Sequence, residues 1–365
     1  MNVFAARLAQ GGAVLAPMAG FSDAPFRRLA REHGSAWAVT EMVSARALAK
    51  GDERSLAIPA PYPGEPDVVI QLFAADPDEA AAAARLLQDR FAPAAFDLNM
   101  GCPVKKILDK GCGARLIGDP VGAARIVTAI RDATGLPVSA KTRLGRDRVE
   151  LDAVARALVE GGVAALAVHG RTAAAKYGGA ADPAPILDVA AWSPVPVLYS
   201  GDVDDPAAAH ALQARGVGVM IARGALGRPW IFDEVRGGAP RGWREAAAVL
   251  LRHVDLQVAH AGEARGLRGL RAHLATYAER HPEARGLRDA LVRVDTRADV
   301  HAALATTPGG AAAVAAHRAA AAHESVAAHE VAALHGTASS AAPSPATDAD
   351  PGAGPSAVPA AAGRG

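Results

Sequence analysis

Cysteine is scarce: the 365 residues hold two, at positions 102 and 112. Two thiols at that spacing make no disulfide framework, and with no further cysteine they make no zinc site. The expectation is a cytoplasmic protein without a structural metal. Net charge is almost absent as well, since 39 Lys and Arg face 38 Asp and Glu, leaving +1. Overall charge therefore announces no nucleic-acid partner, and any basic surface must be local. Long apolar runs are missing from the N-terminus, where the uninterrupted stretches are too short for a signal peptide or a membrane span. No G-x-G-x-x-G follows the first apolar run, which removes the dinucleotide fingerprint of an open doubly wound sheet. What remains is half hydrophobic and 21% charged, enough to bury a core in one large domain or two ordinary ones.

Short apolar runs alternate with helical patterns. Ala13–Met18, Ala36–Thr40, Asp67–Phe73, Phe96–Asn99, Pro137–Thr142, Ala164–Val168, Val195–Tyr199 and Val217–Ile221 read as strands. Between them, Ser22 precedes a helix reaching His33, Asp76-Pro77 opens one to Phe91, and Asp119-Pro120 caps one to Ala133. Further helices follow near 150–161, at Pro183–Ala191 and from Asp205-Pro206. Eight strand–helix units over about 225 residues predict an α/β fold, a (β/α)8 TIM barrel over residues 1–240. From 241 to 302 the pattern is continuous helix, with eleven Arg against eight Asp or Glu. This predicts a small, mildly basic all-α helical domain. Residues 303–365 degenerate into Ala, Gly, His, Pro and Ser. They read as a low-complexity tail that cannot bury a core and is expected to be disordered.

A barrel of this class carries its active site at the C-terminal ends of its strands. Those ends present Pro17-Met18-Ala19, Glu41, Gln71, Asn99 with Cys102, Lys141, His169, Gly201-Asp202 and Arg223. One such residue has a bland explanation; so many at one face of one barrel point to catalysis. Cys102 alone reads equally as a small buried hydrophobe, although its place between Gly101 and Pro103 at a strand end suits contact with a ligand. The loops after strands seven and eight are where phosphate sites are common in such barrels, and backbone N–H groups with the Arg223 fork suit a phosphate. Lys141 suits a group that becomes anionic, and Gln71 suits an imide-like ring edge. A ring with an anionic reduced state and a phosphate tail describes flavin mononucleotide (FMN).

Several motifs, in order over about residues 10–300, resemble those of tRNA-dihydrouridine synthases. They are Ala16-Pro17-Met18-Ala19-Gly20-Phe21-Ser22-Asp23-Ala24-Pro25-Phe26-Arg27, Leu98-Asn99-Met100-Gly101-Cys102-Pro103, Lys110-Gly111-x-Gly113-Ala114, Lys141-Thr142-Arg143-Leu144-Gly145, Val168-His169-Gly170-Arg171-Thr172 and Arg223-x-x-x-Gly227-Arg228-Pro229-Trp230. The stretch Arg268 to Leu274 is similar to that of the bacterial type with a C-terminal helical domain. The resemblance implies reduction of the C5–C6 double bond of D-loop uridine in tRNA. FMN would be held by Pro17, Met18, Ala19, Gln71, Lys141, His169, Ser200, Gly201, Asp202, Ala222 and Arg223, and reduced by NADPH or NADH. Cys102 would be the proton donor. Asn99, Arg143 and Arg171 would face the uridine and its phosphates, with Lys105, Lys106, Arg268 and Arg271 as further tRNA contacts. A monomer without membrane attachment is expected. Three positions depart from the family pattern: Ser200 stands where Asn is usual, Ala222 where Gly is usual, and Leu270-Arg271-Ala272-His273 replaces Met-Arg-Lys-His. Two other readings share parts of the pattern: a flavin barrel that oxidises or reduces a free pyrimidine or dihydroorotate, and a catalytically weak RNA-binding protein.

Overall fold

The computed structural model describes residues 3–336. Eight parallel strands form one sheet: β1 (Val14–Leu15), β2 (Val43–Ser44), β3 (Val69–Phe73), β4 (Ala95–Asn99), β5 (Val138–Arg143), β6 (Ala165–His169), β7 (Val197–Ser200) and β8 (Gly218–Ile221). Their order is β1-β8-β7-β6-β5-β4-β3-β2. Helices cover the outside, as expected of a TIM-type α/β barrel. The second stave departs from expectation. Residues 36–40 make only single bridges, Leu15 to Ala38 and Val39 to Val69, and the short ladder that pairs with β3 falls at Val43–Ser44. Ser35 joins the backbone bonds at this point: its hydroxyl donates to Trp37 O and accepts from the Leu15 N–H, which also donates to Trp37 O. The bridges still join β1 to β3 and bring the sheet round.

Three crossover helices begin with Asp-Pro. Asp76, Asp119 and Asp205 each accept a hydrogen bond from a first-turn N–H, and the following proline fixes φ where its missing N–H costs nothing. The helix Ala24–Glu32 is capped by Asp23, one residue later than the sequence suggested. Ser22 serves the preceding loop instead, accepting from the Met18 N–H at 2.8 Å.

Alternation along the strands sorts the core into two layers. Ile70, Leu72, Phe96, Leu98, Ala140, Leu166 and Val168 belong to the cluster that meets the helices. Val14, Ala16, Val39, Val69, Ala95, Ala165, Ala167, Leu198 and Met220 form a separate inner cluster, to which Phe4 and Trp37 belong. Residues of the inner parity nearer the C-terminal ends are polar: Gln71, Asp97 and Asn99, Ser139 and Lys141, His169, Ser200. Because the side-chain period is two, the apolar runs that face helices also aim these polar groups inward.

The helices Trp243–Ala261 and Glu263–Arg280 follow the barrel, and the described residues up to His317 belong to one compact unit. Arg252 donates to both carboxylate oxygens of Glu32. Gly227, at φ +68°, lies where a Cβ would stand 2.5 Å from Thr276 O, so this turn admits the helix Glu263–Arg280 only as glycine. Helical structure continues past residue 303 in Pro308–Gly336, consistent with its alanine content; the expectation for the tail beyond 336 lies outside the described residues. No helix among the described residues is long and apolar enough to cross a membrane, and no group of three or more His, Cys, Asp or Glu among them is placed to hold a metal ion.

Candidate active site

The strand ends open into a cavity of about 1210 Å³. Its lining includes all eleven residues assigned to the cofactor: Pro17, Met18, Ala19, Gln71, Lys141, His169, Ser200, Gly201, Asp202, Ala222 and Arg223. Cys102, Asn99, Lys105 and Arg143 line it as well. Lys106, Arg171, Arg268 and Arg271 do not. Glu41 lies at a smaller neighbouring cavity with Arg54, His260 and Arg265, where it accepts from the Gly20 N–H.

Strand register builds the site row by row. Gln71 stands opposite Asp97, and Asp97 opposite Ser139. One step further, Asn99 stands opposite Lys141; beyond it, Arg143 pairs with His169 and His169 with Ser200. Gln71 Nε2 donates to Asp97 Oδ2 at 2.7 Å, and Asn99 Nδ2 donates to Gln71 Oε1 at 3.0 Å. The Cys102 N–H donates to Asn99 Oδ1 at 3.1 Å. Gln71 and Asn99 thus each keep one N–H and one lone pair for a ligand.

Charge in the cavity is mostly positive. The Lys141 ammonium makes no hydrogen bond to any described residue. Burial, with help from Arg143, pulls its pKa down to about 8 against the opposing pull of Asp97. His169 is held neutral: burial first, then Lys141, Arg143 and Arg171, push it down to about 3. Asp97 goes the other way, up to about 6, because burial outweighs its hydrogen bonds from Ser139 and Gln71. An unpartnered cation beside a neutral imidazole suits an anionic ligand.

Arg143 is committed to backbone. It donates to Gly101 O at 2.8 Å, Thr172 O at 3.1 Å and Lys176 O at 2.8 Å, tying the Cys102 turn to the loop after β6. Arg171 is buried, and its guanidinium holds Asp202 with both nitrogens and reaches Gly178 O and Gly179 O. Lys105 is exposed and paired with Asp109 one helical turn on. Arg271 donates to Val294 O and Asp295, and Lys106 and Arg268 lie on the surface.

Three contributors carried no assignment in the sequence. Asp97 was readable as an inner-parity polar residue two before Asn99. Tyr177, 62% exposed at the cavity, lies beneath both Arg143 and Arg223, with guanidinium carbons 5.7 and 5.1 Å from its ring centre; an aromatic in a Gly-rich loop was its only signal. Arg280 ends a helix far along the chain and donates to Leu226 O and Arg223 O, a placement with no local signature.

The sequence profile of the dihydrouridine synthase (Dus) family matches residues 14–313. The chain belongs to this family. It is 38% identical over 295 residues to tRNA-dihydrouridine synthase B of Xanthomonas axonopodis pv. citri (strain 306), covering 78% of this chain and 88% of the relative. It is 37% identical over 328 residues to a probable tRNA-dihydrouridine synthase of Mycobacterium leprae (strain TN), covering 78% and 84%. Dihydrouridine synthases are flavin-dependent oxidoreductases, which decides among the readings that the sequence left open. The family motif Lys110-Gly111-x-Gly113 also finds its reason here. Gly113 has φ +63°, and a Cβ on it would lie 2.6 Å from Cys102 O. Gly113→Ala is therefore expected to shift the turn that carries the thiol. Displacement on the ångström scale costs about 100-fold in rate, so dihydrouridine formation should fall that far; near-normal turnover would show that the turn can move freely.

Proposed function

We propose that this chain reduces the C5–C6 double bond of a D-loop uridine in tRNA, using FMN reduced by NADPH or NADH, with Cys102 as the proton donor. The observation that carries the reading is the single cavity in which Cys102, the hydrogen-bonded Gln71 and Asn99, and the unpartnered Lys141 meet. The residues present fit FMN. Pro17, Met18 and Ala19 offer backbone, and Gln71 offers one donor and one acceptor to a ring edge. Lys141 offers a cation to a ring that becomes anionic. Ser200, Gly201, Asp202, Ala222 and Arg223 would hold the phosphate end, with Arg171 keeping Asp202 in place. Neutral His169 can share a hydrogen bond there without adding charge.

When bound and reduced, the flavin supplies a hydride. The double bond then needs one proton, and the Cys102 thiol gives it to the other carbon. A general acid gives its proton to the reacting atom from a held position, and the turn that carries Cys102 holds it at the cavity. Asn99 faces the uridine. Arg143 acts on the substrate side by pinning the Gly101-Cys102 turn, with Tyr177 stacked against it at the mouth. The uridine is flipped out to reach this depth, at a cost of a few kcal/mol. Phosphate contacts of Lys105 and Lys106, and of Arg268 and Arg271 on the helical domain spanning 241–302, offset that cost. We place the protein in the cytoplasm, acting as a monomer.

The test is direct. Purified protein reconstituted with FMN should show flavin absorbance. With NADPH and unmodified tRNA it should form dihydrouridine, detected by mass spectrometry of the digested RNA, and binding should weaken steeply with salt. Failure to take up flavin would overturn the reading. So would turnover of free uridine or orotate in place of tRNA.

A further inference from the structure

We infer that Asp97 is the positioning residue of this cavity, acting as the acceptor that anchors a hydrogen-bond chain running through Gln71 and Asn99 to the backbone N–H of Cys102. The chain is continuous: Ser139 Oγ donates to Asp97 Oδ1 at 2.6 Å, Gln71 Nε2 to Asp97 Oδ2 at 2.7 Å, Asn99 Nδ2 to Gln71 Oε1 at 3.0 Å, and Cys102 N to Asn99 Oδ1 at 3.1 Å. Its direction is settled by its ends. An ionised carboxylate only accepts and a backbone N–H only donates, so each amide between them has one orientation. Asp97 is 2% exposed and Gln71 1%, so the bond between them is shielded from bulk water. The strand register holds Gln71, Asp97 and Ser139 side by side, which makes the anchor rigid. Lys141, two residues beyond Ser139, supplies the compensating charge.

Two consequences follow for the site. The amide of Gln71 shows the cavity one face only, with its remaining N–H and lone pair in fixed places. The turn carrying Cys102 is held from below through Asn99, in addition to Arg143 from the side. Asp97 touches neither the thiol nor the cavity itself, and meets the site only through the lining residue Gln71, so its influence passes through its neighbours. This role deepens the proposed reading of Cys102 as proton donor and rests on it for its catalytic meaning, but the chain itself is a property of the protein without cofactor or tRNA.

The experiment uses the two cysteines. Selective ¹⁵N-cysteine labelling of the full chain gives two amide signals, Cys102 and Cys112. The Cys112 N–H donates to Ile107 O at 3.2 Å, outside the chain, and serves as the internal control. In Asp97→Leu the Gln71 Nε2 loses its acceptor, and the Cys102 amide should exchange with deuterium about tenfold faster, the worth of roughly one hydrogen bond, with Cys112 unchanged. Asp97→Asn still offers an oxygen to Gln71 and should restore protection to within about threefold of the wild type, about half the worth of one hydrogen bond. Gln71→Met severs the same chain without emptying the carboxylate site and should match Asp97→Leu; it carries the test if the leucine variant fails to fold. Unchanged Cys102 exchange in Gln71→Met would overturn the inference, as would equal acceleration of both amides or an Asp97→Asn variant as fast as Asp97→Leu. A protein that passes these tests but takes up no flavin would leave the chain intact and overturn the proposed function instead.

Discussion

Cys102→Ala is expected to lower dihydrouridine formation about 10²- to 10⁴-fold, the range a positioned general acid contributes, while flavin stays bound. The thiol lines the cavity at the end of β4, on a turn held by Arg143 through Gly101 O and by Asn99 through the Cys102 N–H. Removing the sulfur leaves those anchors in place, so cofactor absorbance should be normal and the loss should fall on the reduction of RNA. Cys112→Ser is the control. That thiol is buried, donates to Lys110 O, and is pushed up to about 11 by burial, so it should be unreactive and its removal should leave most activity. Mass spectrometry of tRNA digested after single-turnover reaction gives the comparison. A Cys102→Ala enzyme with more than about a tenth of wild-type rate would have lost less than general acid catalysis is worth, and would show that the proton comes from elsewhere.

Lys141→Met should have the second largest effect, on the cofactor. The ammonium faces the cavity without a hydrogen-bond partner, and a charge-assisted contact to a ligand is worth about 1.5–3 kcal/mol, or about 10- to 100-fold in affinity. The pH dependence has a definite sign. With its pKa drawn down to about 8 by burial and by Arg143, Lys141 is charged below that pH and neutral above it. The cation is what the ligand requires, so FMN affinity should be full near neutrality and fall as pH rises through about 8. Lys141→Arg should remove that dependence, because a guanidinium does not titrate there. Fluorescence titration of apoprotein with FMN across pH measures both effects independently of Cys102. Flat affinity through pH 9 in the wild type would show that Lys141 does not contact the flavin.

Much of the site was legible because a barrel collects strand ends. Gln71, Lys141, His169 and Arg223 needed only correct strand assignment to be placed in one cavity. The second stave differs in form from the sequence expectation, since residues 36–40 make single bridges and the ladder to β3 falls at Val43–Ser44. Arg171 shows a different limit. Its motif resembles a substrate contact, yet its guanidinium is spent on Asp202 and the carbonyls of Gly178 and Gly179. Nothing in the local sequence distinguishes an arginine that meets a ligand from one that orders a loop.

Local sequence determined the strand–helix alternation, the Asp-Pro helix starts and the glycines that permit the Cys102 and Gly227 turns, since each follows from backbone sterics and side-chain period within a few residues. Tertiary structure decided which polar residues serve one another. Asp97, Gln71, Asn99 and Ser139 come from three strands, and only their register in a curled sheet brings them within hydrogen-bond reach. Arg280 and Tyr177 reach the cavity from a distant helix and a long loop, whose paths depend on packing and not on their own composition.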